Sequence, residues 1–214
     1  MLVFCSGVCF QLIIKELSAT KQVYFSKNSA ASEKLEMHTI VPWTCFLLAC
    51  CPLYAHGYGN GQVQPACVTM TPQHGVTEQT GPSPYSITAD QSTYTPGAKV
   101  KVTLSGSTNN TFEGFLLQAR ATNNASNPHG SFQVSNNDSQ TLTCGDLANS
   151  AVSHTSDIKK SNVEVTWIAP NQKDDDIQFC ATIAKNGRTY WVKLPGPQLT
   201  YNTANSNVFA YLAV

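Results

Sequence analysis

Apolar and polar residues alternate along Lys99-Val100-Lys101-Val102-Thr103-Leu104, with Val100, Val102 and Leu104 on one side and two lysines on the other. That is the pattern of a strand with one buried and one wet face. Asn162-Val163-Glu164-Val165-Thr166-Trp167 repeats it and ends at Ala169-Pro170. The densest apolar run beyond the first third of the chain is Phe112 to Arg120. Its period alone does not separate strand from helix, but turn formers bound it on both sides (Ser105–Asn110, then Thr122–Asn124 and Asn127–Gly130), and a strand is expected. Phe115, Leu117 and Ala119 would then face a core, and Leu116, Gln118 and Arg120 a side that turns polar; Gly114 suggests a bulge or a close neighbour. Shorter runs at Tyr85–Thr88, Ser131–Val134 and Thr141–Cys144 read as further strands, and Asn186-Gly187 joins Ile177–Ile183 to Arg188–Lys193 as a hairpin. No capped stretch of helical period follows residue 58. The expectation is an all-β, immunoglobulin-like antiparallel sandwich of about eight strands.

The first third is organised differently. Ile40 to Leu53 is an apolar block of signal-peptide length, followed by small residues suited to cleavage after Ala55 or Gly57. Pro42 and Pro52 make it a poor membrane span. Met37 stands just before it, so residues 1–36 are expected to be an upstream extension of the reading frame and 37–57 the signal peptide. The apolar stretch from Met1 to Ile14 leaves an alternative leader or N-terminal anchor open. The domain is expected over 58–195, opened by a Gly-, Pro- and Gln-rich stretch up to Gly81. Residues 196–214, beginning Gly196-Pro197, read as a linker and short tail, of which the apolar Val208–Val214 is open to being a last edge strand.

Charge narrows the choice of partner. Four of the 13 basic and three of the 13 acidic residues precede residue 58, so the remainder sets nine against ten. A near-neutral chain does not support nucleic-acid binding or attraction to a bulk anionic membrane. Five of the eight cysteines lie in the leader region, leaving Cys67, Cys144 and Cys180. An exported chain with three cysteines suggests one disulfide and one unpaired thiol. Cys67 and Cys144 sit beside turn-rich sequence at strand ends, whereas Cys180 lies inside an apolar run; the first two are the expected pair, with intermolecular pairing of Cys180 left open. The sequons at Asn109, Asn124 and Asn137 all fall in predicted loops and are the expected glycosylation sites.

Candidate chemistry is sparse. His74, His129 and His154 stand with Glu78, Asp146 and Asp157, but nucleophile-elbow, His-Glu-x-x-His and Cys-x-x-Cys motifs are missing, so no catalytic residue and no cofactor is expected. Cys67, Met70 and His74 would suit copper, with His154 more distant, although a disulfide would remove the thiolate. Asp174-Asp175-Asp176 lacks calcium-loop spacing. Lys159-Lys160 and Lys99/Lys101 offer a small site for sulfated glycans, or simply a wet surface.

Taken in order, Pro65-Ala66-Cys67, Met70-Thr71-Pro72-Gln73-His74-Gly75, Gln79, Ser83-Pro84-Tyr85, Tyr94-Thr95-Pro96-Gly97, Val102–Gly106, the Phe112–Arg120 run and Trp167–Pro170 resemble a reelin (reeler) domain over roughly residues 65–194. The resemblance is to the version in secreted insect-type defense proteins and at the N-terminus of ferric-chelate reductase-like proteins. It implies an immunoglobulin-like sandwich, and the family's cysteine before an Ala-Val-(Ser/Thr)-His segment supports the Cys67–Cys144 pair. It also implies a secreted binding module of innate immunity directed at bacterial surfaces or lipopolysaccharide. The other implications are the extracellular part of a reductase whose haem and membrane modules do not occur in these residues, and an extracellular-matrix or glycosaminoglycan binder. The chain shows no basic amphipathic helix, so recognition is expected rather than membrane rupture.

Overall fold

Val100, Val102 and Leu104 are fully buried and Lys99 and Lys101 exposed, as a half-wet strand requires. The computed structural model describes residues 58–171 and 175–202. Expectations for residues 1–57, for Asp174 and for 203–214 lie outside these. Among the described residues there are ten strands: β1 (Tyr85–Ala89), β2 (Thr93–Tyr94), β3 (Lys99–Gly106), β4 (Gly114–Ala121), β5 (Ser131–Gln133), β6 (Ser139–Cys144), β7 (Leu147–His154), β8 (Asn162–Ile168), β9 (Ile177–Asn186) and β10 (Thr189–Tyr201). A 3-10 turn, Gln64–Ala66, precedes them.

The strands form a four-stranded sheet in the order β1-β3-β8-β5 and a six-stranded sheet in the order β2-β10-β9-β4-β7-β6. Neighbours are antiparallel except β2 and β10, which run parallel. The core lies between the sheets. Val100, Val102, Leu104, Val163, Val165 and Trp167 from the smaller sheet meet Phe115, Leu117, Ala119, Phe179, Ala181 and Ile183 from the larger one. Trp167 sits edge-on to Phe179 at 5.7 Å and to Tyr94 at 5.2 Å, and its indole N–H donates to His129 O at 2.9 Å. These T-shaped contacts suit the ring quadrupoles, and the indole proton leaves water without losing a partner.

The all-β sandwich is as expected; its strand count and edges are not. β2 is too short to show a period. β7 reads Leu-Ala-Asn-Ser-Ala-Val-Ser-His, small and polar, yet its last five residues are buried, with Val152 in the core between the sheets and Ala151 in a second apolar cluster on the other face. β10 passes through Pro195-Gly196-Pro197 to Tyr201, so 196–201 belong to the sheet rather than to a linker. Register shifts at Trp191/Leu194 and Pro195/Gln198 make this possible, because bulged positions do not need every backbone N–H in the ladder.

Candidate functional site

Every residue of β4 is buried, on both faces. Phe115, Leu117 and Ala119 enter the core as expected, but Leu116, Gln118 and Arg120 do not face water. The segment from Tyr58 to His74 lies over the outer face of the six-stranded sheet as a roof, and the polar side chains beneath it hold its carbonyl groups. Arg120 donates to Cys67 O at 2.7 Å and to Val68 O at 3.1 Å, and Gln118 Nε2 donates to Cys67 O at 3.1 Å. Arg120 also binds Gln118 Oε1 and Ala125 O. Thr182 on β9 donates to Met70 O at 2.6 Å, and Gln140 on β6 to Asn60 O at 2.6 Å. The roof carbonyls that face the sheet gain protein donors, so an irregular segment of which only Gly61, Cys67 and Met70 are buried keeps its hydrogen bonds. The Cys67–Cys144 disulfide, spanning 77 positions, ties the same roof to the end of β6.

Beneath the disulfide lies a second apolar cluster of Met70, Leu116, Leu142 and Ala151, with Cys180 against it. Met70 is fully buried and left-handed (φ 56°), a conformation that costs a non-glycine residue about 1–2 kcal/mol and is held here by its packing and the Thr182 bond. Cys180 is a free thiol touching Met70 Sδ at 3.5 Å, and burial pushes its pKa up, so it is a poor nucleophile.

Between the roof and the start of β4 is a cleft of about 240 Å³. Its walls include Val63, Pro65, Met70, Pro72, Phe115 and Leu116, and its polar lining includes His74, His154, Glu113 and Asp157. His154, at the end of β7, accepts from the Phe115 N–H at Nδ1 (3.1 Å) and lies 3.0 Å from Tyr58 O at Nε2. Both contacts are satisfied together by the neutral ring protonated on Nε2. Burial lowers its pKa, opposed in part by the carbonyl oxygens of Phe115 and Tyr58, which accept from the protonated ring. Gly114 has a close neighbour, and it is this ring: a Cβ there would stand 3.0 Å from His154 Cε1. Gly61 of the roof (φ 70°) presses so closely on His154 O that a Cβ would overlap it, at 1.7 Å. His74 packs edge-on against Tyr190 at 5.4 Å; its Nδ1 is buried without a partner, and burial lowers its pKa too.

The structure separates the remaining sequence candidates. His74 and His154 share the cleft, whereas His129 lies at the far end of β4, where its N–H donates to Ala119 O. The copper set is dismantled: Cys67 is oxidised and Met70 is packed. No group of three or more His, Cys, Asp or Glu among the described residues is placed to hold a metal. Asp175 and Asp176 serve the fold, Asp175 O accepting from the Tyr94 hydroxyl and Asp176 Oδ1 from Tyr201 N–H. Lys160 does not face water; it is 5% exposed, with Nζ bound to Ser156 O (2.7 Å), Ile158 O (2.6 Å) and Glu113 O (3.3 Å), and cannot serve a sulfated glycan. Lys101 pairs with Glu164 on the exposed face. Asn109, Asn124 and Asn137 are exposed in the loops after β3, β4 and β5. Sequence reasoning missed Gln118, Arg120 and Thr182 as roof-holders, because alternation alone does not tell whether a second layer covers a polar face.

The Reeler domain profile matches residues 65–207, which takes in the roof from Pro65 onward, the disulfide and both sheets. The chain belongs to the Reeler family. It is 44% identical over 163 residues to "Putative ferric-chelate reductase 1" of Xenopus laevis, a match covering 75% of this chain and 27% of that protein. It is 36% identical over 144 residues to "Putative defense protein 3" of Antheraea mylitta, covering 67% of this chain and 86% of the insect protein. The crystal structure of the human F-spondin reeler domain superposes with a TM-score of 0.51 at 25% identity, over 59% of this chain and 94% of that one. The Reeler chain thus spans about a quarter of the length of its reductase relatives and most of the insect ones. No helix among its described residues is long and apolar enough to cross a membrane.

Proposed function

We propose that this Reeler protein is a secreted, non-catalytic recognition module of innate defense that binds bacterial surfaces or lipopolysaccharide. The observation that carries the reading is the likeness to insect proteins named for defense, which aligns across 86% of such a protein. A disulfide-tied sandwich suits an oxidising, extracellular setting. The exposed sequons at Asn109, Asn124 and Asn137 are proposed to carry glycans there, and their loss on deglycosidase treatment would appear as a mass change. Near-neutral charge makes recognition and clumping the mode of action rather than lysis. The test is a pull-down of the refolded protein on whole bacteria and immobilised lipopolysaccharide beside a dye-release assay on anionic liposomes. Binding without release is expected; rapid release overturns the mechanism, and absence of binding overturns the recognition role.

A second reading is favoured by the 44% identity to a reductase: the extracellular reeler domain of a ferric-chelate reductase-like membrane protein. A full-length transcript decides between them. Continuation into haem and membrane-spanning modules favours the reductase reading, and a stop close to residue 214 favours the defense module. Matrix glycosaminoglycans remain a further partner class for the pull-down, read out on immobilised heparin.

A further inference from the structure

The cleft under the roof has a charge asymmetry that selects its ligand. Its walls are chiefly apolar, and the acidic residues lining it are Glu113 and Asp157, with no lysine or arginine. The two histidines in its wall are shifted by burial toward their neutral forms. The nearest buried cation, Lys160, has its ammonium bound to three backbone carbonyls, so it has no proton left for a guest. An anion at this open rim would gain no charged donor and would face carboxylates of its own sign, which disfavours it. A cation at the open side would face two carboxylates, of whose charge the Lys160 ammonium offsets one unit and leaves the rim net negative, with the half-exposed Tyr58 in the same cleft as a further favourable surface.

We propose that this cleft binds a small amphiphile with an apolar body and an ammonium head, the body lying on Val63, Pro65 and Pro72, which the buried Met70 and Leu116 back, and the head at the Glu113–Asp157 rim. The cleft's 240 Å³ equals the space of about eight water molecules at ~30 Å³ each, which sets the body at a similar number of carbon atoms. The roof gives the site definition. Pro65 and Met70 are held in place by the disulfide, Arg120 and Thr182, so the apolar wall is formed before a ligand arrives. This ligand class is separate from the microbial surface proposed above, and the two stand or fall independently.

The experiment titrates the intact, oxidised protein with octyltrimethylammonium, octyl glucoside and octyl sulfate, each well below its micelle concentration, followed by amide NMR shifts and calorimetry. Saturable binding of the ammonium probe is expected, with shifts centred on Phe115, Leu116, His154 and Ala184. The glucoside should bind more weakly and the sulfate not at all. Glu113→Gln with Asp157→Asn should weaken the ammonium probe at least tenfold while leaving octyl glucoside unchanged, and both changes lie at the rim, where folding is little affected. Equal binding of octyl sulfate, indifference to the double substitution, or shifts centred elsewhere would overturn the proposal. Lipopolysaccharide should not displace the ammonium probe, and failure of the pull-down on bacteria leaves this titration unaffected.

Discussion

The two faces of β4 are equally dry and are built in opposite ways. On the inner face Phe115, Leu117 and Ala119 meet apolar residues of the opposing sheet, and burial of hydrocarbon supplies the stability. On the outer face Leu116 alternates with Gln118 and Arg120, and the covering layer is an irregular segment whose carbonyls those side chains bind. An apolar face needs only shape in its partner. A polar buried face needs matched donors and acceptors, so it fixes where the roof lies and leaves a cleft where the match stops. The inner face holds the domain together, and the outer face builds the candidate site.

The largest expected effect comes from attacking the inner face. Phe115→Ala should cost ~3–5 kcal/mol, read from chemical denaturation. Its unfolding should stay a single transition, because the core is shared by both sheets. Replacing Cys67 and Cys144 together by serine should cost about 4 kcal/mol by the loop-entropy argument. That change should also separate the two regions: amide exchange of Cys67 and Met70, whose N–H groups donate to Gln64 O and Ala66 O, should accelerate more than exchange in β3. If all amides accelerate alike, the roof and the core are one unit and the distinction fails.

Arg120→Met tests the outer face without touching the disulfide. It keeps most of the volume and strips donors from Cys67 O and Val68 O, for a loss of about 2–3 kcal/mol centred on the roof. A loss below the error of the measurement would mean that water replaces the guanidinium freely.

Acid should act on the outer face through His154. Its pKa is lowered in the fold, so an unfolded chain binds the proton first as pH drops past 6.5. The stabilisation is complete above that value and is lost as pH falls toward the folded-state pKa. His74 shifts in the same direction, so His154→Gln should remove part of the slope of Tm against pH between about 7.5 and 5. An unchanged slope would show that His154 does not titrate differently on folding. The smallest effect belongs to the wet face of the other sheet: Lys101→Ala, which breaks a pair with both side chains 55% exposed, should cost no more than ~1 kcal/mol in thermal melts.

Much of the fold was legible in the residues. Val100, Val102 and Leu104, then Val163, Val165 and Trp167, alternate because one face of their sheet is wet, and period is the signal that wetness leaves behind. β7 left no such signal, since Ala151, Val152 and Ser153 are buried on both sides and owe their strand to their neighbours. Lys160 shows the opposite limit: a lysine beside another lysine suggests a wet surface, and only two carbonyls of its own loop, joined by that of Glu113 before β4, take it out of water.

What the residues settled by themselves was the class of the fold, the core-facing set of β3, β4 and β8, and the cysteine pair, because hydrophobic period, turn chemistry and cysteine position are local properties of the chain. What only the tertiary structure decided was that residues 58–74 return over Gln118 and Arg120, that His74 and His154 meet in one cleft, and that the charges at its rim are acidic. Those depend on which carbonyls come within reach of which donors, a matching across some fifty positions of chain that no periodicity records.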